Sequence, residues 1–320
     1  MKKLILGLGA LAALGGLLTG CAREKEALDE LNAWAAETPE LAGIQFSRPT
    51  EGLPTPYIVA RGSLTVDDPS QFFAVVNLLE THNEVARRHR LSYISVRLRA
   101  QTPQYFIELK DLKAAGPTIT EPLADFLDPA IDQLSYGSAL SVHRGPAATE
   151  EQARDYLSAT FFPAVRALSE VTNDKSGDGK FFVTARFNSV HLAGSPDTST
   201  TIFVSAGDFT YDVGRALNRL DELSRATEVF IRDVHFARGD ITYLQLGMIK
   251  DEAAVDRLVA ALRRGGFASV NLQASVPEGF VHGVVDGRSP FPPNSDAEAA
   301  FRARIGDTNT TTAAPGDGRE

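Results

Sequence analysis

The chain has 320 residues, 32 of them basic and 41 acidic, for a formal net charge of −9. An acidic surface argues against nucleic acid as a partner and against direct electrostatic adhesion to anionic lipid. Cys21 is the only cysteine, so the body of the chain has no disulfide, thiolate metal site or cysteine nucleophile. It must hold together by packing alone, and a 43% hydrophobic content over this length suffices for one or two cores.

In chain order, Met1-Lys2-Lys3 forms a short positive start, and nothing from Leu4 to Leu18 is charged. That stretch has the length of a signal-peptide core and falls short of the roughly 20 apolar residues of a spanning helix. It ends in Leu18-Thr19-Gly20-Cys21, which resembles the lipobox of bacterial lipoproteins at all four positions. The resemblance covers residues 1–21 and implies a signal peptide at 1–20, cleavage after Gly20 and lipidation of Cys21, with palmitate among the chains attached. Two or more acyl chains give stable membrane attachment, where one is marginal. Ala22 follows the cysteine where the inner-membrane retention signal has Asp, so a Gram-negative host would sort the protein to its outer membrane. Cleavage removes Lys2 and Lys3, leaving 30 basic and 41 acidic residues, a net of −11.

Hydrophobic periodicity then predicts a recurring order of helix, strand, strand. The first helix is predicted over 24–37, followed by extended segments near 42–47 and 57–66. Asp68-Pro69 reads as an N-cap and first helical position, with Phe72, Val75, Val76 and Leu79 on one face. Strand 91–99 alternates Ile94, Val96 and Leu98 with Ser95, Arg97 and Arg99, and a second strand covers 104–110. Thr120 reads as the cap of a helix over 121–136, followed by a strand over 138–143. His143 to Ala148 reads as a linker.

The order then starts again. Thr149 and Gln152 form a capping box opening a helix over 150–170. Strands are predicted near 181–191 and 199–206, then a helix over 210–226. Strands 228–237 and 241–249 flank a turn at Arg238-Gly239-Asp240. Asp251 caps a helix over 252–264, and strand 268–276 closes the set. These elements predict an α+β fold of two layered domains, 21–145 and 149–285, related by internal duplication, with helices on one face of mostly antiparallel sheets. The αββ order resembles that of BON-type envelope modules, although their glycine-centred strand motif is absent. Beyond 285 the prolines and polar residues predict a disordered tail over 286–320, with a short surface helix near 295–304.

Few residues suggest chemistry. Asp174, Ser176 and Asp178, with Gly179 at the sixth position, reproduce the opening of an EF-hand-type calcium loop, but the twelfth position is Ala185 and cannot supply the bidentate carboxylate. No metal or cofactor is therefore expected. The histidines show no ligand spacing, and His143, His191 and His235 read as single strand residues. No nucleophile elbow, Ser-x-x-Lys pair or phosphate loop is present. The one positive stretch runs from Arg87 to Arg99, and an open sheet face bearing Ser95, Arg97 and Arg99 is the candidate binding surface. The sequence thus favours a non-enzymatic envelope lipoprotein that binds a partner protein or a cell-wall polymer, tied to the membrane by its lipid. A solute-binding lipoprotein with ligand between its domains comes second, and an envelope hydrolase third.

Overall fold

The computed structural model describes residues 23–49, 57–89, 91, 93–113, 117–137, 139–172, 184–205, 213–237 and 240–310. The lipobox and the Asp174–Gly179 loop lie outside them. The fold is α+β, and its chain divides into two compact units. The first spans residues 1–127 and 133–138; the second holds 128–132 and everything from 139 onward.

In the first unit, helix α1 covers 23–37 and leads to strand β1 (Gln45–Ser47) and strand β2 (Tyr57–Thr65). Helices α2 (Pro69–Thr81) and α3 (Asn83–Arg88) then lead to strands β3 (Tyr93–Gln101) and β4 (Phe106–Lys113). Helix α4 (Pro117–Ala124) precedes β5 (Ile131–Tyr136). Asp68 caps α2 as its position before Pro69 requires, accepting from Ser70 N at 2.7 Å. Phe72, Val75, Val76 and Leu79 are all buried, as their spacing demands. They lie over the same strand faces as Ile58, Ile94, Val96, Leu98, Ile107 and Leu109, which are likewise buried.

The second unit continues with β6 (Leu140–Arg144), α5 (Glu150–Tyr156), a π turn at Leu157–Phe161 and α6 (Phe162–Thr172). Then come β7 (Thr184–Leu192), β8 (Ser195–Ser205), α7 (Val213–Thr227), β9 (Ile231–Ala237) and β10 (Asp240–Met248). Helix α8 (Glu252–Arg264), β11 (Asn271–Val276), β12 (Gly279–Val284) and α9 (Asp296–Ile305) complete it. The capping box at Thr149 and Gln152 is present, and Asp251 accepts from Ala254 N at 2.7 Å to start α8.

Strand pairing is mixed rather than mostly antiparallel. In the first unit β1–β2 and β3–β4 are antiparallel, while β2–β3 and β4–β5 are parallel. In the second, β7–β8, β9–β10 and β11–β12 are antiparallel, and β6–β7, β8–β9 and β10–β11 are parallel. The reason is the αββ order itself. A hairpin reverses the chain, but a helix between hairpins carries it back, so the next strand lies parallel to the last.

Three boundaries differ from the sequence expectation. The helix expected over 121–136 ends at Ala124, and β5 occupies its second half. Asp128 turns the chain ahead of Pro129, accepting from Ala130 N at 2.8 Å, and Ile131, Leu134 and Tyr136 enter the core as strand residues. Thr120 therefore caps nothing; it sits within α4 and donates to Asn77 Oδ1 at 2.7 Å. The boundary expected at 145 falls earlier, because β6 hydrogen-bonds in register with β7, pairing Leu140 with Ala185 and Val142 with Phe187.

The third difference is the C-terminal segment, which is folded through residue 310 instead of disordered from 286. Ser295 caps α9 by accepting from Glu298 N at 3.1 Å, and Gly306 ends it in the left-handed region at φ 80°. Arg302, 3% exposed, donates from Nε to His282 O at 2.9 Å, from Nη1 to Phe291 O at 2.7 Å and from Nη2 to Glu298 Oε1 at 2.5 Å. Asp307 accepts from Val284 N, Ser289 N and Asn309 N at 2.9 to 3.0 Å, and from the Ser289 hydroxyl. Burial pulls its carboxyl up, but those donors outweigh the burial and hold it below the usual carboxylate range. Polar composition suggested disorder because the donors and acceptors are spent on one another, which no hydrophobic count registers.

Removing Arg302 would leave Glu298 buried with an uncompensated charge. Arg302→Ala is expected to cost about 3–5 kcal/mol, read by urea unfolding of the full chain. A loss under about 1 kcal/mol would show that the segment contributes little to the second unit.

Candidate binding surfaces

In the first unit, the strand face turned away from the helices is the one on which Arg97 and Arg99 were expected. Cross-strand register sets Arg61 opposite Arg97 and Ser63 opposite Arg99, and Arg99 opposite Glu108. The three expected residues do not share one environment. Ser95, opposite Val59, is 2% exposed and belongs to the interior, whereas Arg97 is half-buried and Arg99 exposed. Glu108 accepts from Arg99 Nε and pairs with Lys110 Nζ, both at 2.7 Å. Burial pushes its carboxyl up, but Lys110 and Arg99 overcome this and hold it below the carboxylate range. A cavity of about 760 Å3 lies over this face, lined by Gln45, Arg61, Ser63, Arg97, Arg99 and Lys110 among others.

The corresponding face of the second unit is built differently. Along β8, β9 and β10 the core-facing residues Ile202, Val204, Val234, Phe236, Leu244 and Leu246 are buried. The residues between them therefore point the other way. Register aligns Phe203 with His235, His235 with Tyr243 and Tyr243 with Asn271. The side chains form a row across the strands. The Arg186 guanidinium sits 5.2 Å from the Phe203 ring centre, Phe203 lies 4.7 Å from His235, and His235 lies 4.6 Å from Tyr243. Tyr243 then donates to Gln273 Oε1 at 2.6 Å. Phe203, His235, Tyr243 and Gln273 are half-buried, so the row is partly open to water.

The row runs into a cavity of about 370 Å3 at the β12 side, where Tyr243, Asn271, His282 and Asn294 meet Phe291. Phe291 is 74% exposed. At the β6 side, Asn188 Nδ2 lies 3.0 Å from His143 Nε2, and the Asn188 Oδ1 atom has no hydrogen-bond partner among the described residues. Rings, amides and imidazoles thus alternate over one face.

A third cluster ties elements together. Arg154 on α5 bonds Asp221 on α7 at 2.8 Å and lies 3.5 Å from Glu150, which Arg144 contacts at 2.9 Å. Burial pushes the Glu150 carboxyl up against the pull of its hydrogen bond from His191 N and of Arg144 and Arg154. Asp221 also accepts from Ala193 N at 3.0 Å, fixing the β7–β8 turn to α7. The contact is close enough to demand glycine beside it. A Cβ on Gly194 would lie 2.4 Å from Arg225 N. Arg144 and Arg154 together balance Glu150 and Asp221, and the Arg154–Asp221 pair clamps α5 to α7. Among the described residues no three His, Cys, Asp or Glu side chains are arranged to hold a metal.

Sequence reasoning missed the second-unit row because each member looks ordinary alone. His235 is a single strand histidine, and Phe203 and Tyr243 sit at the alternate positions where core and surface trade places. Only the register between β8, β9 and β10 brings them together.

Burial lowers both His235 and His143, against the opposing pull of Asp233 and Asp132 respectively. Both rings are therefore neutral at pH 7. Folding opposes their protonation, so their contribution is complete above the ordinary value of 6.5 and is lost as pH falls through the lowered values. Ring-proton NMR should show both titrating below 6.5, with stability falling over the same window; titration at or above it would contradict the burial described. No protein-family model matches this chain, and no curated protein or solved structure matches it either.

Proposed function

We propose that the protein is a lipid-anchored lipoprotein of the bacterial envelope, and that it binds a cell-wall glycan without catalysis through the open strand face of its second unit. The observation that carries the binding role is the row Arg186, Phe203, His235, Tyr243 and Gln273. Sugar rings present apolar C–H faces and hydroxyl edges. Half-buried aromatic rings can stack on the former, and neighbouring amides and imidazoles can serve the latter with donors and acceptors. An extended row suits a chain of sugars better than a single small molecule, which prefers an enclosed apolar pocket.

Placement in the envelope rests on the lipobox ending at Cys21. Lipid would hold the chain at a membrane, and no helix among the described residues is long and apolar enough to cross one.

Sedimentation with purified peptidoglycan tests the binding role. Tyr243→Ala is expected to weaken binding by about tenfold, the loss of one aromatic anchor worth over 1 kcal/mol. Failure of the wild-type chain to sediment would overturn the glycan reading, and capture of a protein in its place would favour the partner-protein reading. The anchor is tested separately. Cys21→Ser should abolish incorporation of labelled palmitate, and any processed product should move to the soluble fraction. Label retained by this variant would place the anchor elsewhere.

A further inference from the structure

The ring row of the second unit has a polar neighbour on the same face. Building on the glycan role proposed for that face, we infer that its ligand is an uncharged, hydroxyl-bearing sugar chain lying across the strands, and that Asp233 sets this choice.

Two residues further along a strand, the chain returns to the same side of the sheet, about 7 Å on. From Phe203, His235 and Tyr243 that step leads to Thr201, Asp233 and Gln245. Register places these in line. Thr201 lies opposite Asp233, and Asp233 opposite Gln245. Gln245 then faces Gln273, and Gln273 faces His282. The first four are half-buried and His282 is exposed. A second row, polar throughout, thus runs beside the rings from β8 to β12. With strands about 4.8 Å apart it extends over roughly 19 Å, the scale of an oligosaccharide and not of a single sugar. Tyr243 joins the two rows through its bond to Gln273 Oε1.

This row is short of partners. Thr201, Asp233 and Gln245 form no side-chain hydrogen bond or ion pair among the described residues. A half-buried polar group in that state has given up part of its hydration for nothing in return. A ligand rich in hydroxyls repairs the loss. A hydroxyl can donate to the Asp233 carboxylate, and the Gln245 amide both gives and takes. A sugar chain carries such hydroxyls on its edges and C–H faces for the rings alongside, so one chain engages both rows.

Charge decides which sugars fit. The Asp233 carboxylate stands beside the ring row, and its charge reaches both His235 and Tyr243. An ionised acceptor roughly doubles the strength of a hydrogen bond, so a sugar hydroxyl gains there. A sugar carboxylate meets like charge in its place, and juxtaposed like charges are costly at an interface. Nearby cations leave that repulsion standing. Arg232 is exposed and forms no ion pair with Asp233, and the Arg186 guanidinium sits over the Phe203 ring on β7, two strands from β9.

Calorimetric titration of the full chain with two hexasaccharides tests the choice. One is built of N-acetylglucosamine and is uncharged; the other is hyaluronan, with glucuronate at every second sugar. The neutral chain should bind about tenfold more tightly, or better. Asp233→Asn keeps the size and one acceptor oxygen but removes the charge. It should narrow the ratio to about threefold or less by strengthening uronate binding, a gain that a misfolded variant cannot produce. Gln245→Ala should weaken the neutral chain by about fivefold, the worth of one hydrogen bond, and Arg257→Gln on the exposed side of α8 should change nothing. Equal binding of the two chains by the wild type, or a ratio unaltered by Asp233→Asn, overturns the role of Asp233. If the neutral hexasaccharide fails to bind while the protein still sediments with peptidoglycan, the neutral-chain assignment falls and the glycan role stands. Failure of both removes the glycan role itself.

Discussion

A helix that links two neighbouring parallel strands is under a strong preference to cross the sheet right-handed, because a right-twisted strand and a right-handed helix pack best that way. Burial of its apolar stripe on the shared core competes with that preference. In each unit here the strands follow one another in chain order, hairpin after hairpin, with a helix between. Each hairpin reverses strand direction while the order advances one way, so a single crossover hand would send successive linking helices to opposite faces. Instead α2 packs on α4 and α7 on α8, so within each unit these helices share a face and their crossovers alternate in hand. One face of each unit receives the helices and becomes core. On the other, Arg99 of the first unit is exposed and Phe203, His235 and Tyr243 of the second are half-buried, although Val59 and Ser95 on the same alternation are buried. What the protein can bind follows from this asymmetry.

The two free faces have been filled in different ways. In the first unit the alternate positions carry Arg61, Ser63, Arg97 and Arg99. In the second they carry Phe203, His235, Tyr243 and Gln273. One surface is ionic and polar, the other neutral and ring-bearing, and burial shifts both His235 and Tyr243 toward their neutral forms, lowering the one and raising the other. They are suited to different ligands on the same backbone plan. Ser95 marks the limit of the first surface: it stands on the outward alternation yet is buried opposite Val59. Alternation predicts direction, and coverage is settled by the rest of the chain.

Much of this plan was legible from residues alone. Asp68-Pro69, the Thr149 and Gln152 capping box and Asp251 announce helix starts because each satisfies backbone N–H groups locally. The apolar faces of α2 and α8 have the spacing that burial on one side requires. Where the signal failed, it failed for tertiary reasons. Ile131 and Leu134 are three apart, a helical interval, but Asp128 and Pro129 turn the chain into a strand that pairs with β4. The 286–310 segment is polar, and its order comes from Arg302 and Asp307 reaching backbone groups far away in sequence. The ring row exists only through strand register, which depends on where each hairpin turns.

Arg302 and Asp307 have a further consequence. Their bonds to His282 O and Val284 N engage backbone groups of β12, the last strand of the second unit. On β1, the first strand of the first unit, the Asn32 amide does the same, giving to Phe46 O and taking from Phe46 N. Side chains thus stand where a neighbouring strand would dock. A sheet edge left bare is a template on which another copy can add itself, and crowding at a surface makes that encounter frequent. These few polar side chains serve as stoppers that keep each molecule from being extended by the next.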